Sequence, residues 1–111
     1  LVAISSVAAL IGSRQAPAYS ASKAFVSNYL EGLRGVMRNL RLPITITDIR
    51  AGFVDTAMAQ GSGIFWMASR EKAARQIYHA ITKKRAHIYV TRRWRLIAWL
   101  FKIIPHSLLL R

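Results

Sequence analysis

The feature that most constrains this chain is a succession of an apolar run, a long stretch of helical periodicity and a second, β-branched run. Residues 1–5 form a short apolar segment of the kind buried on both faces in a parallel sheet. A loop marked by Gly12, Ser13 and Pro17 follows. From residue 18 to about residue 40 the apolar positions Phe25, Tyr29, Leu33, Val36, Met37 and Leu40 recur three or four apart, which predicts the longest helix. Pro43 breaks it, and residues 44–49, β-branched at Ile44, Thr45, Ile46, Thr47 and Ile49, predict a second strand. Strand, helix and strand make a βαβ unit. Such crossovers are right-handed in almost all cases, so the strands belong to one sheet with the helix on its face. The loops after both strands then open on one carboxyl edge, where open α/β sheets bind ligands.

Downstream, Gly52, Gly61 and Gly63 mark an irregular stretch expected to form a mobile loop over that edge. Ser69 reads as an N-cap with Glu71 in the first turn, where a carboxylate suits the helix dipole. Ala73, Ala74, Ile77 and Ile81 give that helix an apolar face to about Lys83, and Lys83, Lys84 and Arg85 sit at its C-terminal end. Residues 87–90 predict a third strand. No internal repeat or low-complexity tract is present.

A length of 111 residues allows one small domain or part of one. The opening strand, starting at Leu1 with nothing upstream to pair with, is expected of a fragment, and the 53% apolar share expects missing partners. With no cysteine, a disulfide framework and a thiolate metal site are excluded, and a cytosolic setting is the default expectation. The first ten residues lack the basic flank of a signal peptide. The apolar stretch 96–110 is interrupted by Lys102, Pro105 and His106, short of the roughly 20 residues a membrane helix needs. Of the 17 Lys and Arg behind the net charge of +13, eleven lie from Arg70 onward against Glu71 alone. That asymmetry fits an anionic neighbour for the tail (nucleic acid, a membrane surface or an acidic subunit) or simply a solvated basic surface. Nucleic acid is the weakest of these, because no reading motif accompanies the charge.

Tyr19 and Lys23 lie four residues apart at the start of the long helix, so a phenol and an ammonium project from one face. A cation close to a phenol favours the phenolate, which suits the pair to proton exchange. Ser6, at the end of the first strand, is placed to hydrogen-bond a substrate oxygen alongside the phenol and hold a carbonyl polarised for hydride attack. A Tyr and a Lys at this spacing are weak evidence alone. The full set is Ile4-Ser5-Ser6-Val7-Ala8-Ala9, then Ala18-Tyr19-Ser20-Ala21-Ser22-Lys23-Ala24, then Gly52-Phe53-Val54-Asp55-Thr56 after the second strand. In this order and spacing the segments resemble the short-chain dehydrogenase/reductase superfamily over roughly residues 1–90.

The resemblance implies an α/β fold, the C-terminal part of a Rossmann-like doubly wound parallel sheet, with three strands and about four helices here. It implies residues 1–91 as the catalytic half of that domain and 92–111 as a basic, apolar helical tail. Tyr19 matches the general acid/base, Lys23 the partner that also binds the nicotinamide ribose, and Ser6 the substrate-orienting hydroxyl, with Ser5 left a structural role. Gly52, Phe53, Val54 and Thr56 match the segment that meets the nicotinamide amide. The expected cofactor is NADP or NAD, with NADP slightly favoured. The expected substrate is a small, hydrophobic carbonyl or alcohol, and the expected assembly a homo-oligomer. The alternative is a catalytically inactive remnant acting as a membrane-surface or subunit interaction module.

Two departures matter. Ala51-Gly52 stands where the family usually has Pro-Gly, which loosens the loop without removing its contacts. The sequence also has no glycine-rich turn between a first strand and helix, no Asn-Asn-Ala-Gly segment and no earlier-helix asparagine, so it is expected to lack most of the dinucleotide pocket and to be inactive in isolation. His79, His87 and His106 are too scattered for a metal site. Asp48, in mid-strand, is expected to pair with a basic neighbour, and Asp55 to shape its loop. Met58, Phe65, Trp66 and Met67 either line an apolar pocket or pack the core. In the tail, Trp94, Ile97, Ala98, Phe101 and Ile104 make one helical stripe flanked by Arg92, Arg93, Arg95 and Lys102. It suits packing on a second subunit or on the rest of the domain, with a membrane interface as the alternative.

Overall fold

In a computed structural model, which describes residues 1–52, 69–90, 92–105 and 107, the predicted strands form one parallel sheet. Its order is β1 (Val2–Ser6), β2 (Thr47–Ala51), β3 (His87–Val90), with Val2 opposite Thr47 and Asp48 opposite His87. A short 3-10 turn (Val7–Leu10) follows β1. Three helices complete the described chain: α1 (Pro17–Asn39), α2 (Arg70–Thr82) and α3 (Trp94–Ile103). The βαβ unit and the third strand are as the patterning predicts.

Because side chains alternate across a strand, the register sorts the sheet into two unlike faces. Ile49 and Val90, with Ile88, meet Ala73, Ile77 and Ala80 of α2 in an apolar core. The other face, toward α1, is polar: Ser5, Asp48 and Arg50 pack there against Ser27 and Tyr89. Hence the sheet side of α1 is lined by Ser20, Ser27 and Leu30, all buried. Of the apolar positions that disclosed the helix, Phe25, Tyr29, Val36 and Leu40 are exposed, and only Leu33 and Met37 are half-buried.

Two expectations need correction. The second strand runs from Thr47, opposite Val2, rather than from residue 44, although the Leu1 amino group still donates to Thr45 O at 2.7 Å and Leu1 O accepts from Thr47 N–H at 2.8 Å. β1 is not buried on both faces: Ser5 and Ser6 are buried, but Val2 and Ile4 are exposed, since no described element covers them. α1 ends at Asn39, ahead of Pro43, as expected. The stop is a Schellman turn in which Leu42 N–H reaches Met37 O at 3.0 Å and Arg41 N–H reaches Arg38 O at 3.1 Å, with Arg41 left-handed at φ 54°.

α2 begins as predicted, the Ser69 hydroxyl accepting from Lys72 N–H at 3.2 Å with Glu71 in the first turn. The tail stripe packs on this chain itself: Trp94 and Ala98 are buried where α3 lies on the 3-10 turn and β3. Among the described residues no helix is long and apolar enough to cross a membrane.

Candidate active site at the carboxyl edge of the sheet

Parallel pairing places the ends of β1 and β2 side by side, with Ser6 opposite Ala51 and Gly52 next in line. Gly52 N–H continues the ladder to Val90 O at 2.6 Å. Above this edge stands the first turn of α1. Pro17 starts it, with its fixed φ and missing N–H both suited to that position. The incoming loop is clamped to that turn: Ser13 N–H donates to Ser20 Oγ at 3.0 Å, Ala16 N–H to Ser13 Oγ at 3.0 Å, and Ser20 Oγ donates to Pro17 O at 3.1 Å.

Tyr19 and Lys23 do share a face of this helix. The Lys23 ammonium lies 5.7 Å from the centre of the Tyr19 ring and donates to Ile4 O of β1 at 3.3 Å. That bond ties the helix to the strand carrying Ser6, while Tyr19 stays 48% exposed and open to a ligand. Ser6 is buried; its Oγ caps the 3-10 turn by accepting from Ala8 N–H at 3.1 Å, and its own O–H has no acceptor among the described residues. The predicted site residues Ser6, Tyr19, Lys23 and Gly52 are therefore gathered at one sheet edge. Phe53, Val54 and Thr56, like Asp55, Met58, Phe65, Trp66, Met67 and His106, lie outside the described residues.

Ser5 takes a separate role. Its hydroxyl donates to Asp48 Oδ1 at 2.5 Å, and Ser27 Oγ donates to Asp48 Oδ2 at 2.6 Å. Arg50 Nε pairs with the same oxygen at 3.0 Å, and its other nitrogens donate to Ser27 Oγ at 3.0 Å and Tyr89 Oη at 2.8 Å. Burial works against the Asp48 charge, but the bonds from Ser27, Ser5 and Arg50 outweigh it and hold the carboxyl below its ordinary range. His87 Nδ1 is 3.8 Å from Asp48. Burial and the nearby Arg50 and Arg34 charges nevertheless push His87 below its ordinary value, so at neutral pH the contact is not an ion pair. The expected basic neighbour of Asp48 is thus Arg50, two residues on and on the same strand face.

Sequence reasoning missed the Ser13–Ser20 clamp, the serines around Asp48, and the seat of Trp94. The indole packs directly on Gly52, where any side chain would overlap it. The period-2 pairing of Asp48 with Arg50 was a readable signal; the clamp and the indole seat needed residues far apart in sequence.

The family model for short chain dehydrogenases matches residues 1–65, a span that includes β1, α1, β2 and Gly52. The chain belongs to the short-chain dehydrogenase family. No curated protein matches it. The family is one of oxidoreductases, and its members typically use NAD(P). The nicotinamide end of such a dinucleotide fits what is present: a half-exposed phenol and an adjacent ammonium at the carboxyl edge of a parallel sheet. α2, β3 and α3 lie beyond the matched span.

Proposed function

We propose that this short-chain dehydrogenase chain carries the proton-transfer side of an NAD(P)-dependent active site that interconverts a carbonyl and an alcohol on a small, hydrophobic substrate. The observation that carries the reading is Lys23, held on the Ile4 carbonyl with its ammonium against the Tyr19 ring. In the reducing direction the Tyr19 O–H gives its proton to the substrate oxygen, and in the oxidising direction it takes that proton back. Lys23 keeps a cation beside the ring while that ring carries negative charge, and its position also suits it to the ribose hydroxyls. The Ser6 O–H donates to the same substrate oxygen and fixes its position. Gly52, Phe53, Val54 and Thr56 are assigned to the nicotinamide amide. When bound, the dinucleotide supplies or accepts the hydride. Of the two, NADP is the first choice.

Residues 1–91 serve as the catalytic half and 92–111 as an added helical tail. Assembly into a homo-oligomer is supported by the α1 face on which Phe25 and Tyr29 stack, exposed, at 6.1 Å between ring centres. The test is Tyr19→Phe in the longest natural form of the protein, assayed with NADPH and NADH on a panel of hydrophobic ketones and aldehydes. The expected loss in kcat is on the order of a hundredfold to ten-thousandfold with cofactor affinity retained. Wild-type rates in the variant would overturn the assignment.

A further inference from the structure

Helix α3 is apolar on two sides. Trp94 and Ala98 are 4% and 2% exposed and occupy the inner side, against the 3-10 turn and β3. Leu96, Trp99, Leu100 and Ile103 are 68%, 62%, 44% and 57% exposed. Their spacing of three, one and three residues places all four on one outward stripe. Four large apolar side chains, a tryptophan among them, are thus held facing out by a helix whose other side is already engaged.

Exposed cations surround the stripe, namely Arg92, Arg93 and Arg95 at one end and Lys102 at the other. None of them makes an ion pair among the described residues, and no acidic residue follows Glu71. Three of these cations crowd the N-terminal turn of α3, which has no acidic residue and no side-chain cap. The helix dipole disfavours positive charge there, so local helix stability does not explain their placement.

We infer that the outward face of α3 docks on an anionic lipid bilayer, with Leu96, Trp99, Leu100 and Ile103 entering the interface and the arginines and Lys102 meeting the lipid phosphates. The combination of an apolar stripe and a cationic rim is what an in-plane interfacial helix requires. A second copy of the chain is a poor occupant, because two such rims would bring like charges together. The inner side of α3 lies against the turn that follows Ser6, so docking by the outer side leaves the carboxyl edge of the sheet one helix away from the lipid.

The test is sedimentation of the full chain with vesicles of phosphatidylcholine alone or mixed with phosphatidylglycerol. The same measurement is made on Trp99→Ser/Leu100→Ser and on Arg92→Gln/Arg93→Gln/Arg95→Gln, with circular dichroism confirming that both variants stay folded. Binding is expected only with phosphatidylglycerol, weakened by added salt and by about tenfold or more in each variant. Wild-type chain left in the supernatant, or equal binding by the variants, would sink the proposal. So would a fall in mass by light scattering in the Trp99→Ser/Leu100→Ser variant without lipid, which would assign the face to a second protein molecule. The readout does not involve turnover, so a failed Tyr19→Phe test would leave this result standing.

Discussion

Asp48 and His87 occupy neighbouring positions on the polar face of the sheet, and both respond to acid in the same direction. The unfolded chain takes up a proton at His87 near pH 6.5, while the native state, which holds the imidazole below its ordinary value, does not. Stability therefore falls as pH drops below about 6.5, until the native imidazole also protonates. Asp48 adds a second loss at lower pH: its contribution is complete above about pH 4 and disappears as pH falls through its depressed native value. Urea midpoints between pH 7.5 and 5 should decline for the wild type and flatten for His87→Gln; equal slopes would remove His87 from the account. At Gly52 the issue is space. A methyl group would overlap the buried Trp94 indole, so the indole or its helix must move, at a cost of about 1–3 kcal/mol. Gly52→Ala is expected to lower the melting temperature by about 5–15 °C and to change the near-ultraviolet tryptophan signal as α3 shifts.

The helices stop where their chemistry looks least like a stop. α2 ends as α1 does, with Arg85 N–H reaching Ala80 O at 3.0 Å and Lys84 N–H reaching Ile81 O at 3.2 Å around Lys84 at φ 53°. Both turns place a long basic side chain in the left-handed region that glycine adopts without cost. The basic charge returns a little through the helix dipole, but less than the backbone strain takes. Lys84→Gly is therefore expected to stabilise by about 0.5–1 kcal/mol, read as a rise in melting temperature of a few degrees. A fall would mean that the Lys84 side chain contributes more than its backbone costs. At the other end of α1, Pro17 and the Ser13–Ser20 clamp fix the turn that presents Tyr19, so the loop and the helix act as one positioning element.

For the whole molecule, the parallel sheet brings Ser6, Tyr19, Lys23 and Gly52 to a single edge, and the polar face beneath α1 holds that arrangement from below. No described residue offers a glycine-rich strand-to-helix turn, so the 111-residue chain alone is expected to bind NADPH more weakly than about 1 mM, as titration calorimetry or nucleotide fluorescence would show. Tight binding would mean that the pyrophosphate is held by residues other than such a turn. The strands, the helices and the Tyr19/Lys23 pair were legible in sequence because each rests on local repetition: a period of two, a period near 3.6, and a spacing of four that stacks side chains one turn apart. The directions of the helix faces were not legible. Periodicity marks a stripe but does not say what lies opposite it, and here Phe25, Tyr29, Val36 and Leu40 of the α1 stripe face out while Ser20, Ser27 and Leu30 face the sheet. In the same way, the sequence determined by itself that α3 is an apolar helix with basic flanks, and only the tertiary structure decided that Trp94 seals Gly52 while Trp99 is left outside. The physical reason is that burial is a property of pairs of surfaces, and the second surface comes from residues distant along the chain.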